Sequence, residues 1–170
     1  MISDKITKTI NDQITHELFS GHLYLSMAAY CASIDLDGFA NFFVVQEQEE
    51  RFHAMKFFHY LIELDRDVSI AGLDQPETQW KSLEDVFDAA WKHEQKVTGL
   101  INNLMKIAIE ENDFATQSLL KWYIDEQVEE EATMLGILKK IRLVGDKGHG
   151  ILMLDTELAG RTFAPPATEE

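Results

Sequence analysis

The sequence predicts an all-α fold, an antiparallel four-helix bundle with one long crossover and a short fifth helix. Three observations carry this. Four long segments, about 4–34, 38–65, 83–111 and 114–144, repeat apolar residues at helical spacing. The three prolines, Pro76, Pro165 and Pro166, lie outside all four. The joints are uneven: a few residues separate the first two segments and the last two, whereas about 66–82 lies between the pairs.

Each segment opens near a residue able to cap a helix. These are Ser3, Asp37, Ser82 (with Asp85 three residues on, as in a weak capping box) and Asp113. Helices of about 28 residues are rods of about 42 Å. The short joints make two antiparallel hairpins. The middle link exceeds the roughly 2–8 residues usual between bundle helices, and about sixteen extended residues reach roughly 53 Å, the full bundle length. Gly145 and Gly148 interrupt the fourth helix, and an amphipathic piece at about 149–159 stops at Gly160. Residues 161–170 form a tail whose end, APPATEE, reads as disordered. The 170 residues read as a single domain.

Composition excludes several roles. The net charge of -15 argues against nucleic acid and anionic membrane surfaces as partners. There is no apolar run long enough to span a bilayer and no apolar leader at the N-terminus. The single cysteine, Cys31, excludes an intrachain disulfide and fits a reducing compartment, so a cytoplasmic location is expected. Acidic excess also suits a protein that handles cations.

The bundle-facing seams, written with alternating four-and-three spacing, locate a site. The first runs Ile6, Ile10, Gln13, Glu17, Ser20, Tyr24, Met27, Cys31, and the second Phe39, Phe43, Gln46, Glu50, His53, Phe57, Tyr60, Leu64. The third runs Leu83, Phe87, Ala90, Glu94, Val97, Ile101, Leu104, Ala108, and the fourth Thr116, Leu120, Tyr123, Gln127, Glu130, Met134, Ile137, Ile141. Each is apolar at its ends and polar near its middle. Six intruders stand out: Glu17, Glu50, His53, Glu94, Gln127 and Glu130. Glu17 and Glu94, Glu50 and Gln127, and His53 and Glu130 are each 77 residues apart. Two similar hairpins stacked with approximate two-fold symmetry would bring all six to one level.

Four core carboxylates cost several kcal/mol each unless compensated, and no Lys or Arg lies on these seams. Two or more divalent cations would neutralise them. One Glu from each of two helices, with an i, i+3 pair from each of the other two, is the di-iron carboxylate pattern. Oxygen-rich ligation with one imidazole suits iron or manganese better than a structural zinc site.

Across nearly its whole length the chain resembles the bacterial non-haem ferritins, themselves similar to the animal heavy-chain type. The motifs are HELFSGHLYLSMA with Glu17 and Tyr24, QEQEERFHAMKF with Glu50 and His53, WKHEQKV with Glu94, and YIDEQVEEE with Gln127 and Glu130. The resemblance implies a ferritin-like fold and a ferroxidase centre. Glu17, Glu50 and His53 would hold the first iron, with Glu50 bridging, and Glu94 and Glu130 the second beside Gln127. It further implies a third iron site at Glu49, Glu126 and Glu129 with Glu130 shared, and a Tyr24 bonded to a ligand carboxylate and able to donate an electron. Fe(II) and O2 would be the reactants, and the product a ferric mineral inside a 24-subunit homo-oligomeric shell with the fifth helix at its four-fold axes. Haem is not expected, because Phe52 stands where the haem-binding relatives carry a Met. The acidic three-fold entry route of animal ferritins is not expected either, since Gln117 and Leu120 occupy its positions. The competing expectation is a di-iron oxidoreductase acting on peroxide or an organic substrate, without storage. His16, His22, His59, His93 and His149 read as structural or surface, Trp122 as packing and Glu131 as surface.

Overall fold

The computed structural model describes residues 2–145 and 147–165 and consists of five helices: α1 (Asp4–Ser33), α2 (Asp37–Glu63), α3 (Leu83–Glu110), α4 (Phe114–Val144) and α5 (His149–Ala159). α1 packs along α2 and α3 along α4, and α1 joins the two hairpins through α3. The seams face inward as expected: of their 32 positions only Tyr60 and Leu64 are not buried. Among the described residues no helix is long and apolar enough to cross a membrane.

The hairpins repeat each other in backbone detail. Two residues past the end of α1, Asp35 has φ 59°, and two past the end of α3, Asn112 has φ 55°, again 77 residues apart. Asp and Asn tolerate this left-handed conformation better than bulky side chains do. Beyond each, an amide closes the turn on the same carbonyl of the repeat: Leu36 N to Cys31 O at 3.1 Å, and Asp113 N to Ala108 O at 2.9 Å. The crossover is tied to α1 as it passes. Asn11 accepts from the Ser69 amide at 2.7 Å and donates to the Asp67 carbonyl at 3.0 Å, and further along Ser26 donates to the Glu77 carbonyl.

Three of the expected caps are present. Ser3 accepts from the Ile6 amide, Ser82 from the Asp85 amide and Asp113 from the Thr116 amide. Two details differ. The Asp85 carboxylate takes the Lys81 amide rather than closing a box on Ser82. Asp37 does not cap α2: Leu36 occupies the cap position and offers no acceptor, so the acceptor arrives from α5, where Asp155 Oδ1 takes the Phe39 amide at 3.0 Å. The approach is so close that a Cβ on Gly38 would lie 1.7 Å from the Asp155 carbonyl oxygen.

The core is divided. One apolar cluster gathers residues from Leu23–Phe43, Leu83–Ala90 and Met134–Ile141 and takes in Ile151 of α5. The other gathers Ile2–Ile14, Ala54–Leu61, Val97–Ala108, Leu120 and Tyr123. Between them lies a polar layer. The expectation of a disordered tail falls largely on residues outside those described. Within 161–165, Arg161 and Phe163 pack back onto α2.

Docking of α5 thus supplies the missing cap of α2. Asp155→Ala should lower stability by about 1 kcal/mol, the usual worth of a helix cap, and speed amide exchange at residues 38–40. Gly38→Ala should do the same more strongly, because backbone must move. Unchanged exchange in both variants would show that α5 does not cap α2.

Candidate metal centre

All six intruders are buried in the polar layer, Glu94 completely. The buried charged residues are Glu17, Glu50, His53, Glu94 and Glu130; no Lys or Arg is among them in the described chain. Glu17 comes from the middle of α1, Glu50 and His53 from one turn of α2, Glu94 from α3, and Gln127 and Glu130 from one turn of α4. The i, i+3 spacing is what turns both members of each pair inward.

Two groups of ligand atoms converge. Glu17, Glu50 and His53 each offer one atom within 4.8 Å of the others, and so do His53, Glu126 and Glu130. His53 Nδ1 lies 3.6 Å from Glu50 Oε2, and that oxygen is buried without a hydrogen-bond partner. A buried carboxylate oxygen in this position is costly unless a cation takes it up. Donor set, spacing and orphaned oxygen all fit a divalent metal.

The rest of the layer positions these groups. Tyr24 donates to Glu94 Oε1, and Gln127 Nε2 donates to Glu94 Oε2 at 3.1 Å. Glu94 is therefore held between Tyr24 of α1 and Gln127 of α4, outside both convergent groups. Gln13 donates to Glu17 at 2.9 Å, Gln46 to Glu130 at 2.8 Å, and Tyr123 to the His53 carbonyl at 2.7 Å.

The three outer carboxylates are not treated alike. Glu126 joins His53 and Glu130, Glu129 is exposed, and Glu49 is held by Arg161 at 2.7 Å. Gln13, Gln46 and Tyr123 are legible as seam positions, though not as partners of Glu17, Glu130 and His53. His93, expected to be structural or surface, is structural: it sits against Ser20 Oγ at 2.8 Å with its ring edge-on to Tyr24, and burial lowers its pKa to about 4, so it is neutral. Its adjacency to Glu94 was the one available signal. Glu131 is half-buried, accepting from Thr98, which in turn takes Gln127 Nε2. Trp122 packs on His53 and Tyr123 as expected, and Cys31 is buried.

Without cations the layer holds protons. Burial raises Glu50 far above its ordinary range, reinforced by Glu94, Glu17 and Glu130. Burial pushes Glu94 up to about 7, against the opposing hydrogen bonds from Tyr24 and Gln127. Burial, then the Glu94 charge, pushes Glu130 up to about 8. Tyr24 is likewise raised by burial and the surrounding carboxylates.

A long-crossover bundle with carboxylates and one imidazole buried at mid-length defines the carboxylate-bundle class of metal-handling proteins. Comparison with known proteins narrows this. Residues 7–144 match the ferritin-like domain family. The chain is 38% identical to the bacterial non-heme ferritin of Staphylococcus haemolyticus over 163 residues, spanning 96% of this chain and 98% of that one. It is 41% identical to the bacterial non-heme ferritin of Campylobacter jejuni over 155 residues, spanning 91% and 93%. An open-pore ferritin from the hyperthermophilic archaeon Archaeoglobus fulgidus superposes with a TM-score of 0.93 at 44% identity, covering 95% of this chain and 100% of that one. The chain belongs to the ferritin family.

The raised carboxyls set a pH dependence. Glu94 and Glu130 titrate near 7 and 8 when folded, against an ordinary value of 4.5. Between those values the folded chain binds protons that the unfolded chain has released, so the stability they contribute is full below about 4.5 and is lost progressively as pH rises from there through 7 and 8. Metal binding must expel the same protons, so affinity grows over that window. Melting in chelator at about pH 6 and about pH 8 should show the metal-free protein weakening toward the higher pH while the stabilisation by added Zn(II) increases. A metal-free stability that holds level, with an unchanged Zn(II) increment, would contradict these assignments.

Proposed function

We propose that the protein stores iron, oxidising Fe(II) with O2 at a paired site inside each subunit and depositing ferric product in a hollow shell. The observation that carries this is the partnerless, buried Glu50 Oε2 beside His53 Nδ1, in a core layer with four carboxylates and no Lys or Arg. Membership of the ferritin family supports the same reading.

In this reading Glu17, Glu50 and His53 bind one Fe(II), with Glu50 as the bridge. Glu130 and Glu94 bind the second, beside Gln127, with Tyr24 donating to Glu94. Glu49, Glu126 and Glu129, with Glu130 shared, form a third, outer site. Each Fe(II) gives up one electron, so a pair reduces one O2 to hydrogen peroxide, while water supplies the oxygen of the hydrolysed ferric product and the protons released pass to solvent. Anionic oxygen ligands favour Fe(III) because the harder, more charged ion gains more from them. In the same reading Tyr24, which donates to Glu94, can give a further electron to peroxide-level oxygen at the site.

The shell follows from the need to contain mineral, and a 24-subunit assembly is the family's form. The exposed Leu152 and Met153 of α5 offer a surface for subunit contacts. The competing reading is a di-iron oxidoreductase acting on peroxide or an organic substrate without storage, and an organic substrate needs room beside the metals. The 290 Å³ cavity between α3 and α4 meets Gln127 and none of the other five intruders. Phe52, packed on Trp122 and Phe163, offers no ligand atom to a haem. A cytoplasmic location fits the single buried thiol.

Iron entry through an acidic three-fold channel has no support in the chain. Leu120 is fully buried, Gln117 donates to the Ala108 carbonyl, and Asp113 is occupied capping α4.

Glu50→Ala and His53→Ala should each slow Fe(II) oxidation at least about a hundredfold after anaerobic loading, with assembly retained. Stopped-flow absorbance and size-exclusion chromatography measure both properties. Wild-type rates in both variants would defeat the assignment, and a wild-type monomer or dimer would defeat storage. Gln117→Trp should leave oxidation nearly unchanged in the intact shell. A tenfold slowing there would establish the three-fold route.

A further inference from the structure

The segment after α5 reaches back to the metal layer. Asn41 of α2 grips it, its Nδ2 donating to the carbonyls of Leu158 at 3.2 Å, Ala159 at 3.4 Å and Arg161 at 2.9 Å. Phe163 packs on Phe52, with ring centroids 6.3 Å apart. Between these anchors the Arg161 side chain crosses the Phe42 ring, its Cζ 4.5 Å from the centroid, and Nη2 donates to Glu49 Oε2 at 2.7 Å. Both side chains are mostly covered, 27% and 23% exposed. Backbone anchoring, ring stacking and a short charge-assisted bond make this a placed contact rather than a chance surface pair.

We propose that Arg161 is a tethered counter-cation for Glu49, competing with a divalent ion for that carboxylate and so setting the affinity of the outer site. The inference rests on the outer-site assignment above. Glu126 already converges with His53 and Glu130, so Glu49 is the outer carboxylate whose availability is controlled. An ion recruiting Glu49 must first break the guanidinium contact. The contact is built to be broken: Arg161 gives Glu49 one N–H rather than the two of a bidentate fork, and its buried Nη1 has no hydrogen-bond partner. A half-satisfied guanidinium holds its carboxylate less firmly than a forked pair would. The first two ions, bound by Glu17, Glu50, His53, Glu94 and Glu130, meet no such competitor. The arrangement therefore ranks the sites, filling the pair before the outer position.

Calorimetric titration of the assembled, chelator-stripped protein with Zn(II) tests this without any oxidation step. Arg161→Gln should tighten the third ion about tenfold and leave the first two unchanged, the scale expected for removing one partly covered charge pair. Arg161→Lys should fall between wild type and Arg161→Gln. Asn41→Ala, which keeps the guanidinium and frees its backbone, should also tighten the third ion. Glu49→Gln added to Arg161→Gln should abolish the gain. If Arg161→Gln binds the first two ions as wild type does and the third no more tightly, the proposal is overturned and the di-iron reading stands. If wild type binds no ions in the core, both fall together.

Discussion

Four carboxylates and an imidazole share one layer of a helical core with no Lys or Arg beside them, and the rest of the molecule is arranged around that cost. Apolar clusters above and below the layer exclude water, which raises the penalty for charge and with it the reward for a cation. In the metal-free state the penalty is met by protonation, as the upward shifts of Glu50, Glu94 and Glu130 show. Amide and hydroxyl donors from Gln13, Gln46, Tyr24 and Gln127 take up further carboxylate oxygens. Glu50 Oε2 is left over. The layer is thus left incompletely satisfied at Glu50, between Glu17 and His53.

Symmetry builds the layer and asymmetry gives it function. The two hairpins share turn geometry and register at an offset of 77 residues, so equivalent seam positions meet at the same height. A faithful repeat would place Glu at Gln127 or Gln at Glu50, and two imidazoles or none at the His53 and Glu130 level. Here the α2 hairpin carries Glu and His where the α4 hairpin carries Gln and Glu. One half converges tightly at Glu17, Glu50 and His53, while the other keeps Glu94 tied to Tyr24 and Gln127. The two hairpins thus offer unlike donor sets to the layer, Glu and His from α2 against Gln and Glu from α4.

Much of this was legible before the fold was known. Continuous 3.6-residue periodicity without internal proline marks the helices, and polar residues recurring in phase mark the layer. These are local signals repeated many times. What escaped the sequence is what depends on distant partners. Asp37 looks like a cap, yet Asp155, more than a hundred residues away, does that work for α2. His93 lies off the seam in a regular register, yet the packing of α3 on α1 sets it against Ser20 and Tyr24. Arg161 follows a helix stop in a segment with no periodicity at all, and only the docking of α5 on α2 sets it against Glu49.

Anomalous diffraction at the iron edge, from crystals loaded with Fe(II) under strict exclusion of O2, tests the central claim most directly. The account predicts two strong peaks per subunit in the polar layer, one among Glu17, Glu50 and His53 and one between Glu94 and Glu130, with a weaker outer peak near Glu126. Peaks confined to exposed carboxylates, with Glu50 Oε2 still without a metal, would contradict it.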